Sequence, residues 1–141
     1  MLSAAEGIVA YLELKKGKLE ITGAWANVSL PGATHIEHSH PNNFLSFVYY
    51  PRAPRGGDAI EFHDPRPQAH VIAPPVTNMT GKVASTVTVA VEAGRLVAFP
   101  SWLRHSVPIH RGQGERMSIA LNVMFVGSIG KPRWSGPYGE S

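Results

Sequence analysis

The 141-residue sequence contains no cysteine, which excludes disulfides, thiolate metal sites and cysteine nucleophiles together. No apolar run approaches the roughly 20 residues that a membrane-crossing helix needs. The N-terminus also lacks the charged-then-apolar layout of a signal peptide. From these absences we expect a soluble, cytoplasmic protein with no membrane partner. Charge is sparse: Lys plus Arg exceed Asp plus Glu by three (13 − 10). The only dense group, Lys15, Lys16 and Lys18, reads as a solvated face, so no nucleic-acid partner is expected. Internal repeats are lacking too. What is abundant is punctuation. Fourteen glycines and twelve prolines argue for many turns and short strands. A chain of this length is expected to be one domain, 1–141, burying roughly two-thirds of its unfolded surface.

Residues 4–16, "AAEGIVAYLELKK", have helical spacing, with Ile8, Leu12 and Tyr11 on the apolar side. Gly17 is the expected stop, so 1–18 is an N-terminal helical segment. After it the pattern turns to strands, expected at 20–30, 34–40, 44–51, 59–63, 86–92, 95–99, 105–110 and 115–126. Turn signals separate them, among them Pro31-Gly32, Pro41-Asn42-Asn43, Gly56-Gly57-Asp58 and Arg111-Gly112-Gln113-Gly114. Eight short strands at this spacing predict an all-β sandwich or barrel. The Pro-rich stretch 64–85 is long for a loop, and a lid over a site is its first reading. The tail 128–141 reads as an extended arm carrying Trp134 and Tyr138.

Two constellations carry chemistry. His38 and His40 are two residues apart, so on a strand they share one face, while His35, Glu37 and Ser39 take the other. They can meet the distant His105 only in a sheet that folds over itself, as a barrel does. Imidazole suits iron, zinc, copper or nickel. Beyond His105, Arg116, Ser118, Ala120 and Asn122 share one strand face. Arg116 and Ser118, a cation and a hydroxyl two residues apart, can hold a carboxylate. Together they suggest a metal beside an anion site.

The spacing Gly32, five residues, His38-x-His40 matches the first cupin motif, and Gly94, five residues, Pro100, then His105 resembles the second. The glutamate of the first motif is missing, since no acid follows His40 until Asp58. More specifically, "WANVSLPGATHIEHSHPNNFLSFVYY", "EFHDPRP" and "GRLVAFPSWLRHSVPIHRGQGERMSIALNV" resemble a bacterial and phage family of 2-oxoglutarate/Fe(II) oxygenases, over about Trp25 to Val123. Both resemblances imply the double-stranded β-helix, a jelly-roll or cupin-like barrel. The second implies Fe(II) and 2-oxoglutarate as cofactors, with release of succinate and carbon dioxide as a substrate is hydroxylated. Arg116 and Ser118 would then hold the distal carboxylate, with Asn27, Asn122 and Tyr50 as further contacts. The family's usual ligands are two histidines and a carboxylate, spaced HxD then His. Here the Asp position is His40. Three assignments follow: His38, His40 and His105, which we favour; Asp64 as the carboxylate; or a register ending in Asn42. The alternative function is a cupin-type metalloprotein, a three-histidine dioxygenase or isomerase, that does not use 2-oxoglutarate. A binding module with a degenerate site is a third reading. Trp25 and Phe99 are assigned to the core, Trp102 to bracing His105, and His35, His63, His70 and His110 to surface or hydrogen-bonded positions. Arg66 and His70, in the long loop, are possible substrate contacts. The substrate is expected to be a small molecule or a peptide, and apolar strand faces suggest a homodimer.

Overall fold

The computed structural model describes residues 1–127, apart from the side chain of His70. The arm expected at 128–141, with Trp134 and Tyr138, lies outside the described residues. Helix α1 (Leu2–Tyr11) precedes eight strands: β1 (Leu19–Ser29), β2 (His35–His38), β3 (Leu45–Arg52), β4 (Ala59–His63), β5 (Thr86–Ala90), β6 (Leu96–Pro100), β7 (His105–Val107) and β8 (Arg116–Phe125). They form two four-stranded sheets, ordered β1-β8-β3-β6 and β2-β7-β4-β5, with antiparallel pairing throughout. This is the all-β two-sheet arrangement that the strand spacing predicts, in the double-stranded β-helix form that the family resemblance implies. None of the described helices is long and apolar enough to cross a membrane.

Two cores hold it. Between the sheets, Tyr50, Ile60, Val91 and Phe99 pack with Val48, Phe62, Val97 and Leu103. On the outer face of the first sheet, Leu45, Phe47, Leu121 and Val123 are covered by Ala5, Ala4 and Ile8 of α1. The helix is shorter than the 4–16 expected, and its apolar face differs. Ala5 and Val9 are buried, whereas Tyr11 is 86% exposed and Leu12 49%. The reason is a stop that composition does not announce. Glu13 takes a left-handed φ of 54°, and its N–H bonds the Ala10 carbonyl at 3.0 Å while the Leu14 N–H bonds that of Val9 at 3.0 Å. That pair of bonds is a Schellman ending, for which glycine is the usual residue. Gly17 does other work: a Cβ there would sit 3.2 Å from the Phe125 ring.

The loop that leads into Arg116 is pinned by close backbone packing. The His110 ring is 1% exposed and spans the loop, with Nε2 2.9 Å from the Gly114 carbonyl and Nδ1 accepting from the Gly112 N–H at 3.2 Å. Arg111 N–H reaches the Gly56 carbonyl at 2.8 Å. A Cβ on Gly112 would lie 1.9 Å from the Arg55 carbonyl oxygen, a backbone atom that cannot swing away. We therefore expect Gly112→Ala to destabilise the fold by about 3 kcal/mol, at the upper end of overpacking costs. A thermal melt should show a drop of roughly 10 °C; an unchanged midpoint would mean the loop relaxes freely.

Candidate metal centre and anion cavity

His38 ends β2, His105 opens β7, and the two residues are paired across the strands. His40 lies two residues beyond the end of β2. One ligand atom from each lies within 4.8 Å of those of the other two. The ring centroids of His38 and His105 are 4.3 Å apart, and His40 stands 5.1 Å from each. Two of the rings are oriented by their own backbone. His38 Nδ1 lies 2.7 Å from the Ile36 carbonyl and His105 Nδ1 3.0 Å from that of Leu103. A carbonyl can only accept, so each Nδ1 carries the proton and each Nε2 keeps its lone pair, the arrangement usual for imidazoles that bind metals. His40 has no such bond to either ring nitrogen among the described residues. Its ring rests against Trp25 at 5.7 Å.

Burial disfavours the charged form at two of the three rings, His105 and His40. Burial pushes His105 down to about 4, and the neighbouring His38, His40 and His63 add to this against the pull of the Leu103 carbonyl. His40 is lowered by burial and then by His38. In the unfolded chain His105 takes up its proton near 6.5, in the folded chain near 4. Between those values the unfolded state binds more protons, so stability rises with pH. The metal-free protein should hold this contribution in full above about pH 6.5 and lose it toward pH 4, on the order of 3 kcal/mol at the limit. Urea unfolding across that range tests it, and equal stability at about pH 7 and about pH 4.5 would contradict it.

A cavity opens from the three histidines toward β8, lined by Trp25, Asn27, Tyr50, Ser118 and Arg116. Arg116 is 2% exposed. One Nη donates to Ser29 Oγ at 3.1 Å, while Nε is buried with no hydrogen-bond partner. No acid pairs with it among the described salt bridges. The surface pairing with Glu115 that its sequence position allows does not occur, since Glu115 pairs with Arg52 at 3.6 Å. A buried cation with an unused donor asks for an anionic ligand. Tyr50, pushed up to about 12 by burial with Arg116 pulling the other way, stays a phenol able to donate.

The structure places the sequence candidates unevenly. Asn27, Tyr50, Arg116 and Ser118 line one cavity with the three histidines. Asn122 does not; its Oδ1 accepts from Ser46 Oγ at 2.8 Å. Asp64 stands outside the ligand cluster, its carboxylate gripped by Arg66 at 2.9 and 2.7 Å. Asn42 is exposed in a turn with a φ of 61°. Glu37 faces away and pairs with Arg104 at 2.7 Å. Trp102, expected to brace His105, is 62% exposed.

Two cavity residues escape sequence reading. Trp25 belongs to no core cluster; it lines the cavity at 39% exposure. His35 joins it because of a bulge: His35 pairs with Val107 and His38 with His105, three steps on β2 against two on β7. The extra residue reverses the alternation and turns both histidines inward. Burial, then Arg116, then His38 lower the His35 pKa. Ser29, paired with Arg116 across β1 and β8, also carried no signal of its own.

A double-stranded β-helix with three imidazoles and a buried cation in one cavity has the architecture of a jelly-roll protein with a candidate metal centre beside a candidate anion site. The chain belongs to the family described as "Putative 2OG-Fe(II) oxygenase", whose profile matches residues 23–122. Among solved structures it resembles an oxidoreductase of the 2OG-Fe(II) oxygenase family from Burkholderia pseudomallei, with a TM-score of 0.58 and 19% identity over 78% of this chain and 47% of that one. EvdO2 from Micromonospora carbonacea var. aurantiaca, solved with 2-oxoglutarate, gives a TM-score of 0.60 and 14% identity over 93% of this chain and 62% of its own. A prolyl-4-hydroxylase from Pseudomonas putida gives a TM-score of 0.55 and 19% identity over 87% and 62%. The chain thus spans between about half and two-thirds of the length of these structures. No curated protein sequence matches it.

Proposed function

We propose that the protein is a non-haem Fe(II), 2-oxoglutarate-dependent oxygenase that hydroxylates a small molecule or a peptide side chain. The observation that carries this reading is Arg116, buried without an acidic partner in the same cavity as the three histidines. A metal centre alone has no need of it. A dicarboxylate co-substrate does, because one end can meet the metal while the other pairs with the guanidinium.

The residues fit an iron ion. Imidazole is an accepted ligand of iron, and the three rings bring their ligand atoms together. Bound there, Fe(II) would supply dioxygen activation coupled to decarboxylation of the keto acid. The chain's own part is binding and orientation. His38 and His105 present Nε2 because backbone carbonyls hold their Nδ1 protons. Arg116 would clamp the distal carboxylate, and Ser118, Asn27 and Tyr50 stand where they can donate further hydrogen bonds. The loop 64–85 encloses its own cavity, of about 640 Å³, lined by Arg66, Ile72, Met79 and Lys82. A second, smaller cavity shares Asp64 and Arg66 with it and is lined by Phe62 and Leu103; the Phe62 ring stands 6.3 Å from that of His105, and this supports a substrate-facing role. Val28 at 57% and Ile119 at 38% exposure leave part of the first sheet's outer face bare, which supports a homodimer. The cysteine-free composition agrees with a cytoplasmic setting.

The all-imidazole donor set favours a second reading, a three-histidine cupin-type enzyme without 2-oxoglutarate. Incubation with Fe(II), 2-oxoglutarate and oxygen separates the two. Fe(II)-dependent formation of succinate is expected; its absence, with iron bound, would transfer the assignment to the cupin-type enzyme.

A further inference from the structure

His40 is the odd member of the metal cluster, since its ring lacks the carbonyl contact that orients His38 and His105. Something else must hold it. Its backbone N–H donates to the Ser101 carbonyl at 2.9 Å, and the Ser101 N–H donates to the Phe44 carbonyl at 3.0 Å. Ser101 therefore spans the turn that carries His40. Within that turn Asn43 Nδ2 holds the Pro41 carbonyl at 3.0 Å, and Thr22 Oγ1 bonds Asn43 Oδ1.

The side chain of Ser101 continues inward. Its Oγ lies 2.8 Å from Ser46 Oγ, and Ser46 Oγ donates to Asn122 Oδ1 at 2.8 Å. A hydroxyl has one proton, and that of Ser46 goes to Asn122, so Ser101 must be the donor to Ser46. The chain runs Ser101 to Ser46 to Asn122, with exposures of 0%, 2% and 7%. It ties β3 and β8 to Ser101, the residue that follows β6. Leu45, Phe47, Leu121 and Val123, which flank Ser46 and Asn122 in sequence, face the opposite way into the core under α1. Three buried polar side chains in series thus end at Ser101, whose carbonyl accepts from the His40 N–H.

We infer that Ser46, Ser101 and Asn122 are positioning residues for His40, fixing the third metal ligand through its backbone where the other two are fixed through their rings. The inference rests on the three-histidine site proposed above. Outer-shell partners of metal ligands typically govern affinity by about 10–100-fold, and a ligand without a ring hydrogen bond depends on its backbone for its aim.

The test is metal affinity of the full chain, measured with Cu(II), which binds such ligands tightest of the common divalent ions and keeps weakened variants measurable. Ser46→Ala should weaken Cu(II) binding about tenfold, and Ser101→Ala should do the same. His40→Ala should weaken it more. The deciding measurement is the cycle: Ser46→Ala should cost nothing further in the His40→Ala background. The same tenfold loss in both backgrounds, or no loss in the wild type, would overturn the inference while leaving the metal site standing. If instead His40→Ala binds Cu(II) as tightly as the wild type, the three-histidine site fails and this inference with it. Should Ser46→Ala fold poorly, Ser101→Ala, which keeps both backbone bonds of the turn, carries the same cycle.

Discussion

Replacement of His105 by alanine should abolish metal binding, a loss well beyond the roughly 10–100-fold expected from outer-shell changes. His105 is 4% exposed and stands between the other two histidines and the aromatic core, with Phe99 at 4.6 Å and Phe62 at 6.3 Å. Among the described residues no further histidine or carboxylate joins the cluster, so none of them stands ready to replace it. The variant should also lose the part of acid sensitivity that His105 contributes between about pH 6.5 and about pH 4. These two readouts separate ligation from packing. A calorimetric titration that finds full metal retention in His105→Ala would sink the site assignment.

Arg116→Met should weaken 2-oxoglutarate binding by at least about 30-fold, the equivalent of roughly 2 kcal/mol for a buried charge-assisted pair. Metal affinity should remain nearly unchanged, because Arg116 belongs to no ligand contact. Stability should not fall with it. Arg116 is desolvated, which lowers its pKa, its Nε is unpaired, and a methionine of similar length would relieve that cost at the expense of one bond to Ser29. The metal-free variant should therefore melt at the wild-type temperature or above it. Equal losses of co-substrate, metal and stability would instead make Arg116 a structural residue.

Most of the fold was legible because its signals are local. Alternation and turn residues marked all eight strands to within about three residues, and the shared face of Arg116, Ser118 and Ala120 follows directly from the period of a strand. The misreadings come from places where the period breaks. Glu13 ends α1 in a conformation for which glycine is the usual residue, so the glycine signal at Gly17 misplaces the stop. The bulge between His35 and His38 turns inward a histidine that alternation sends outward. Asn122 shares the Arg116 face yet bonds to Ser46, because face membership does not tell how far along a barrel a side chain meets its partner. That no acid follows His40 until Asp58 is readable from the sequence. That Asp64 is taken by Arg66, two residues away, is not.

In the proposed oxygenase a keto acid meets the metal in the cavity that ends at Arg116. The most direct test is anaerobic titration of the metal-free protein with Fe(II) and then 2-oxoglutarate, followed by visible absorbance. A new charge-transfer band on adding 2-oxoglutarate is the expected result, with Arg116→Met needing far more of the keto acid to produce it. Iron binding with no band at saturating 2-oxoglutarate would contradict the claim and leave a three-histidine metalloprotein of another chemistry.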